Sequence, residues 1–223
     1  MALESLVSSF VFNNSGVDTC SWSLSNNGIF SVRSLSLIID NNILGEVINA
    51  NAFETMKNNL VPKKIELFVW RAVQKRLPVR IELDKRGIDL NSVRCSLCDD
   101  DLESVDHSLI FCKNAMDVWD RVFAWWDLGS MTNLSINELL RGHGPSSPTS
   151  FGSKLWQAVE WVSAYLIWRN RNEKVFRDKC WNPHMALNEI QVKTFEWISK
   201  RSRKRKLDWL TWLNDPRSYL RLA

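Results

Sequence analysis

The chain has 223 residues, of which 45% are hydrophobic and 24% charged, and its formal net charge is +4. This hydrophobic share is ordinary for a globular protein, and the length allows one domain or two small ones. No apolar run approaches the length that spans a bilayer, and an odd count of five cysteines argues against a secreted disulfide framework. Twelve tryptophans and ten phenylalanines predict an unusually aromatic core. We therefore expect a soluble intracellular protein with no membrane partner.

The N-terminal part predicts a small β-hairpin and a short helix. Residues 1–19 show no clear periodicity and are interpreted as a tail. Residues 22–32 alternate around Asn26-Asn27-Gly28, which favours a hairpin because Asn-Gly tolerates a positive φ. Ser34 is then expected to cap a helix over about residues 35–42.

Apolar residues at helical spacing predict the rest of the fold, which we expect to be mainly α. After Pro62, the predicted helices cover about residues 64–76, 79–86, 114–127, 135–140, 153–179 and 184–203. The run Gly142–Pro148 is rich in glycine and proline and gives the best boundary. We predict a tail over 1–19, a first domain over 20–128, a linker with a short helix over 129–152, and a C-terminal helical region with a basic segment over 153–223.

Four soft metal ligands lie within one short stretch of the predicted domain over 20–128. Cys95 and Cys98 form a C-x2-C pair; eight residues later comes His107, and after four more comes Cys112. Three thiols and an imidazole suit tetrahedral Zn²⁺, and four protein ligands leave no open position for chemistry. We expect a structural zinc site whose binding energy becomes folding energy.

Other residues near these ligands have weaker signals. Asp106 can orient the imidazole of His107 as a neighbouring carboxylate, or it can be a solvated loop residue. Cys20 and Cys180 are isolated in the sequence and are expected to be buried free thiols. An odd cysteine count with this spacing also favours a reducing compartment.

Short motifs occur in a fixed order across about residues 20–128. They are Trp22 with Gly28–Ser34, Pro62–Lys64, Phe68–Arg71, Arg76–Val79, Leu83 with Arg86-Gly87, the ligand cluster with Glu103, Val118-Trp119 and Trp125-Trp126. Together they resemble the reverse transcriptase zinc-binding domain of plant non-LTR (LINE-type) retrotransposons. The later runs Ile167–Asn172 and Val175-Phe176 are similar to the segment that trails this domain in such elements. His107–Phe111 departs slightly from the usual His-Leu-Phe run but keeps the ligand spacing.

The resemblance implies that this chain is a module on the C-terminal side of the polymerase domain in an RNA-directed DNA polymerase. It also implies that the module has a part in reverse transcription. Nothing in the chain predicts catalysis. Asp99-Asp100-Asp101 superficially looks like a polymerase signature, but it follows a zinc ligand and lacks the scaffold that two catalytic metal ions need. His143 and His184 lie beside glycine or proline and are interpreted as loop or capping residues.

Two basic regions are candidates for contacts with RNA or DNA phosphates. The run Lys200–Lys206 carries six positive charges in seven residues, and it also fits a nuclear localisation signal or a solvated helix end. Trp209 and Trp212 come soon after it and are expected to pack on the preceding helix rather than to stack on bases. The candidate phosphate-binding residues are Lys63, Lys64, Arg71, Lys75, Arg76, Lys200, Arg201, Arg203, Lys204, Arg205 and Lys206.

These patterns lead to two hypotheses for function. The first is a non-catalytic, zinc-structured module that binds nucleic acid, located in the nucleus and associated with a polymerase domain. The second is a protein–protein interaction module, in which the many tryptophans contact a polymerase domain or a second copy of the chain. A continuous basic groove would favour the first, and a large exposed apolar patch would favour the second.

Overall fold

The computed structural model describes residues 20–23, 25–38, 57–129, 135–140, 149–180, 182–202 and 205–221. The chain forms two compact units, Met1–Ala52 and Phe53–Ala223, which are described separately. The predicted tail over 1–19 and the predicted end of the first helix lie outside the described residues.

The first unit has a turn and a short helix where the sequence predicted a hairpin. The backbone N–H of Trp22 donates to the carbonyl of Gly28 at 2.8 Å, and Gly28 has a φ of +69°. No strand occurs among the described residues of this unit, so the hairpin prediction is not supported. The reason is that helix α1, Val32–Ile38, begins where the second strand would continue.

Ser31, rather than Ser34, occupies the capping position of α1. The backbone N–H of Ser34 donates to Ser31 Oγ at 3.1 Å, and the N–H of Ser31 donates to Ser34 Oγ at 3.3 Å. Such a reciprocal pair satisfies two backbone donors that a helix start leaves without partners. The helix therefore starts earlier than the predicted residue 35.

The second unit is mainly helical in its described residues, which confirms the mainly α prediction. The predicted helices differ from the observed ones only by a few residues at their ends. The elements are α2 (Lys63–Val73), α3 (Arg80–Asp84), a π-helical turn (His107–Phe111), α4 (Lys113–Trp125), α5 (Ile136–Leu140), α6 (Ser150–Arg177), α7 (Pro183–Arg201), α8 (Trp209–Asn214) and a 3-10 helix (Pro216–Arg221).

Helix α6 is the central element of this unit. It starts at Thr149, whose side chain accepts a hydrogen bond from the N–H of Gly152 at 3.0 Å. It contacts α2, α4, α5, α7, the π-helical turn and the 3-10 helix. A helix covered on so many sides needs apolar residues around most of its circumference. Its fully buried residues include Leu155, Ala158, Val159, Trp161, Val162, Ala164 and Ile167.

Tryptophan rings join α4, α6 and α8, which confirms the aromatic core. The ring of Trp126 lies 5.0 Å from that of Trp156 and 5.7 Å from those of Trp125 and Trp212, in edge-to-face arrangements. The indole N–H of Trp125 donates to the carbonyl of Trp212 at 3.1 Å. Edge-to-face pairs add stability beyond the burial of their area. These contacts fix the C-terminal segment against α4.

The two tryptophans after the basic run pack as predicted. Trp212 is fully buried, and the ring of Trp209 lies 4.9 Å from that of Phe195 on α7.

None of the described helices combines the length and apolarity that crossing a bilayer requires. The predicted domain boundaries stay predictions, because a compact unit such as Phe53–Ala223 can contain more than one domain.

Candidate metal centre and its surroundings

A tight turn presents the first two candidate ligands. Arg94 and Leu102 form an isolated antiparallel bridge, and the N–H of Cys95 donates to the carbonyl of Asp101 at 2.8 Å. The N–H of Asp99 returns to the carbonyl of Cys95 at 2.9 Å, and Asp99 has a φ of +57°, which aspartate tolerates better than most residues. This geometry brings the side chains of Cys95 and Cys98 to one side of the turn.

A π-helical turn presents the other two candidate ligands. It covers His107–Phe111, and the N–H of Cys112 donates to the carbonyl of His107 at 2.7 Å. The indole N–H of Trp119 donates to the carbonyl of Leu109 at 2.8 Å and so holds this turn against α4. Helix α4 begins directly after Cys112, as the sequence predicted.

The four side chains converge with spacings that suit a tetrahedral metal ion. Their ligand atoms all lie within 4.8 Å of one another. The sulfurs of Cys95 and Cys112 are 3.8 Å apart, and the sulfur of Cys98 is 3.3 Å from Nε2 of His107. Tetrahedral Zn²⁺ with ordinary Zn–S and Zn–N bonds requires edges of about 3.8 Å and about 3.5 Å. The donor set and its spacing therefore fit zinc.

The carboxylate beside the imidazole belongs to Asp101 rather than to Asp106. Nδ1 of His107 lies 3.5 Å from Oδ2 of Asp101, whose side chain is 70% exposed. Asp106 instead pairs with Lys75 at 3.0 Å and accepts the N–H of Ile136 at 3.3 Å. Asp106 therefore connects the start of α5 to the segment just after α2. Asp101 is the residue that can orient the His107 ring.

The two buried thiols influence each other's protonation. The hydrogen bond with Cys112, together with burial, raises the pKa of Cys95 well above its ordinary value. The same hydrogen bond lowers the pKa of Cys112. A thiolate is the form that binds a metal ion. A cation that binds both sulfurs therefore has to displace the thiol proton that lies between them in this hydrogen bond.

A buried ion pair connects this centre to α6. Glu103 and Arg171 are 0% and 3% exposed, and Arg171 donates from Nε to Oε1 at 2.8 Å and from Nη2 to Oε2. Glu103 also accepts the N–H of Arg80 at 2.9 Å and the hydroxyl of Ser96 at 3.3 Å. Sequence reasoning gave neither residue of the pair a role, although both lie in the motifs that carry the family resemblance.

The acidic run after Cys98 is an exposed turn, as expected, and the described histidines show no catalytic arrangement. Asp100 pairs with Lys113 at 2.8 Å on the surface. His184 is exposed, and its Nδ1 lies 3.0 Å from a guanidinium nitrogen of Arg121. His143 lies outside the described residues.

The predicted basic residues on and after α2 have different surroundings. Lys63 pairs with Glu66 at 2.6 Å, Lys75 with Asp106, and Arg76 lies over the ring of Trp70. Two others line a cleft between α2 and α6 together with Arg80, which belongs to the same basic region of the sequence. These three are Lys64, Arg71 and Arg80.

Among the basic residues of the predicted C-terminal run, Lys200, Arg201, Arg205 and Lys206 are described, whereas Arg203 and Lys204 lie outside the described residues. Arg201 and Arg205 line a small cleft with Lys154, and the Arg205 guanidinium lies 4.3 Å from the centroid of the Phe151 ring. The run therefore reaches the start of α6.

Two cysteine predictions are wrong. Cys20 and Cys180 are both exposed rather than buried, and both are free thiols. Each lies outside the helices, where few neighbours cover it.

Comparison with known proteins finds a family that matches the region around the metal centre. Residues 30–119 match the family described as zinc-binding in reverse transcriptase, which confirms the resemblance found from the sequence. A protein of Arabidopsis thaliana named "Putative ribonuclease H protein" is 28% identical over 105 residues. The match covers 47% of this chain and 17% of that relative. No solved structure matches. Helix α6 and Arg171 lie beyond residues 30–119, which match the family.

Proposed function

We propose that this protein is a non-catalytic, zinc-structured module that binds nucleic acid, like the C-terminal part of a retrotransposon RNA-directed DNA polymerase. The observation that carries the proposal is the convergence of four ligand atoms within 4.8 Å, inside the residues that match the family. The zinc ligands are Cys95, Cys98, His107 and Cys112.

The role of zinc in this proposal is structural. Three thiolates and one imidazole complete a tetrahedral shell and leave no position for water or substrate. The ion ties the turn that contains Cys95 and Cys98 to the π-helical turn and to the start of α4. These segments contain few regular backbone hydrogen bonds of their own, so metal binding adds directly to the free energy of folding.

The proposed nucleic-acid contacts are electrostatic and directed to phosphates. The basic residues on α2 and the run Lys200–Lys206 supply positive charge, and the net charge of +4 favours a polyanionic partner. Phosphate contacts fix position without strong sequence preference. We also propose that the run Lys200–Lys206 directs the protein to the nucleus and that a polymerase domain is its protein partner.

A metal measurement tests the structural half of the proposal. We expect one zinc per chain, and Cys98→Ser should lose it and lower the unfolding temperature. Cys180→Ser removes an exposed thiol and is the matched control, for which zinc content and stability should not change. A folded, metal-free protein with the same unfolding temperature would contradict the proposal.

A salt titration tests the binding half. Zinc-loaded protein is titrated against labelled single-stranded RNA, single-stranded DNA and duplex DNA at several salt concentrations. We expect the logarithm of the binding constant to fall linearly with the logarithm of salt concentration. Absence of binding to all three nucleic acids at low salt would contradict the proposed nucleic-acid binding. Incubation with template, primer and nucleotides should give no extension, since no catalytic site is proposed.

An exposed apolar surface favours the second candidate function, a protein interaction module. The side chains of Leu67 on α2 and Phe176 on α6 are 51% and 77% exposed beside the same cleft. Exposed apolar patches often mark interfaces. Sedimentation over a range of protein concentrations would show self-association if this surface binds a second copy.

A further inference from the structure

A concave cleft lies between α2 and α6 of the second unit. Its volume is about 580 Å³, and the segment from Leu77 to Leu90 closes one end. Clefts of this size are typical of sites for small ligands or parts of larger ones. The metal centre lies outside its lining, and the cleft therefore needs its own explanation.

Aromatic side chains form much of the inner surface of the cleft. Phe68 and Trp168 are buried at its base, and the ring of Tyr165 stands edge-on to that of Phe68 at 5.5 Å between centroids. Phe176 projects from the last turns of α6 and is 77% exposed. Flat aromatic surfaces that remain open to water are suited to stacking with another planar group.

Positive charge surrounds these rings. Lys64, Arg71 and Arg80 line the cleft, and the described lining residues include no aspartate or glutamate. Nζ of Lys64 lies 5.5 Å from the centroid of the Tyr165 ring, so charge and ring occupy the same wall. Arg171 also lines the cleft, but Glu103 neutralises it. An occupant should therefore combine negative charge with flat apolar faces.

We propose that this cleft binds unstacked bases of a single-stranded nucleic acid. A base stacks on the exposed ring of Phe176, and the flanking phosphates bind Lys64 and Arg71. In a duplex the faces of the bases are covered by their neighbours, whereas a single strand can turn them outward. This inference rests on the proposed nucleic-acid binding and specifies its substrate as single strands of RNA or DNA.

A partner helix is the competing occupant, since the walls are apolar. The charge of the lining residues favours the polyanion, because three cations with no acidic residue among the described lining attract negative charge and disfavour a basic or purely apolar occupant. A protein contact in place of a nucleic-acid contact would overturn the proposal.

The first test removes an exposed ring. Phe176→Ala should weaken binding of the zinc-loaded protein to single-stranded RNA or DNA by at least about fivefold at fixed salt, the smallest loss typical of one stacked base. Binding to duplex DNA should not change. Leu210→Ala is the matched control, because Leu210 is 66% exposed on α8 and lies outside the cleft. Separate RNA and DNA arms show which strand binds better.

The second test removes a charge. Arg71→Gln should reduce the salt slope for single strands by about 0.7, the contribution of one phosphate contact. Lys193→Gln, on α7 and outside the cleft, is the control and should reduce it less.

The outcomes separate this inference from the proposed function. If the unchanged protein binds no nucleic acid, both fail. If it binds with a salt-dependent constant but Phe176→Ala and Arg71→Gln behave like their controls, the cleft inference fails and the proposed function stands. If Phe176→Ala instead abolishes self-association and leaves single-strand affinity unchanged, the cleft is a protein contact surface and the inference is overturned.

Discussion

Glu103 is the residue that joins the metal centre to the helical core. It is fully buried, yet Arg171, the N–H of Arg80 and the hydroxyl of Ser96 supply donors to both of its oxygens. Removing two charges from water costs several kcal/mol per ion, and good geometry with additional hydrogen bonds is needed to offset this cost. The pair is therefore sensitive to loss of either partner.

Replacing Arg171 by methionine should destabilise the protein strongly, because Glu103 then remains buried without its cation. We expect the free energy of unfolding to fall by about 3–5 kcal/mol in urea at neutral pH with zinc present. Lys174→Met is the matched control on the same helix. Lys174 pairs with Asp178, which is 89% exposed, and such a surface pair contributes at most about 1 kcal/mol.

The double variant Glu103→Gln with Arg171→Met distinguishes loss of the pair from loss of packing. It removes the buried charge as well as its partner, so it should be more stable than Arg171→Met alone. Equal destabilisation by Arg171→Met and Lys174→Met would show that the buried pair contributes no more than a surface pair.

Asp101 should influence zinc affinity through the His107 ring. Asp101→Asn removes the charge near Nδ1, and loss of such an outer carboxylate typically weakens metal binding by 10–100-fold. The 3.5 Å separation and the 70% exposure of Asp101 place the expected loss at the low end, about tenfold or less. Competition with a chromophoric chelator measures it. Asp100→Asn alters a neighbouring exposed carboxylate and should leave the affinity unchanged.

At the scale of elements, periodicity predicted the features that depend on local sequence. The apolar stripes of α2 and α4 were sufficient to predict these two helices, and the cysteine spacing was sufficient to predict the ligand cluster, because each pattern is contained within a short stretch of chain. The Asn26-Asn27-Gly28 turn was interpreted as a hairpin, and the structure shows why the signal was incomplete: turn residues specify the bend, whereas Ser31 caps a helix in place of the second strand. The pairing of Glu103 with Arg171 spans 68 residues and has no local signature.

Helix α6 should be required for the zinc-binding segment to fold. Tyr165 packs on Phe68 of α2, Trp156 on Phe123 of α4, and Arg171 on Glu103. A chain ending at residue 128, the predicted domain boundary, lacks the α6 partner in all three contacts and exposes the remaining residue of each to solvent. We expect that fragment to lose its cooperative urea transition even with zinc, while a chain ending at residue 221 keeps it. A cooperative transition in the shorter chain would support an independent domain over 20–128.

At the scale of the whole molecule, one buried carboxyl group should give stability an unusual pH dependence. Glu160 is fully buried on α6, and neither oxygen accepts a hydrogen bond among the described residues. Burial raises its pKa well above the ordinary value of 4.5, and the nearby Trp156 indole, which lies one turn earlier without hydrogen-bond geometry to it, opposes this rise only in part. A raised pKa means that the folded state holds the proton more tightly than the unfolded state.

The sign of the effect is set by this difference in proton binding. The contribution of Glu160 to stability is fully present below pH 4.5 and is lost as the pH rises from there through the folded-state value. The free energy of unfolding should therefore fall more between pH 5 and pH 7.5 for the unchanged protein than for Glu160→Gln. At pH 7.5 the variant should be more stable by at least about 1 kcal/mol, since folding of the unchanged protein must keep Glu160 protonated or bury its charge, whereas glutamine carries no charge at any pH.

Zinc binding is itself pH-dependent, so each variant is compared with the unchanged protein at the same pH and zinc concentration. Because the metal centre is the same in both, its contribution cancels in the difference. Glu196→Gln is the matched control on α7, where the side chain is 39% exposed and paired with Lys193. It should shift stability equally at both pH values. A Glu160→Gln variant that also shifts stability equally would show that Glu160 is solvated or paired in solution, and that the tryptophan-rich core around it admits water.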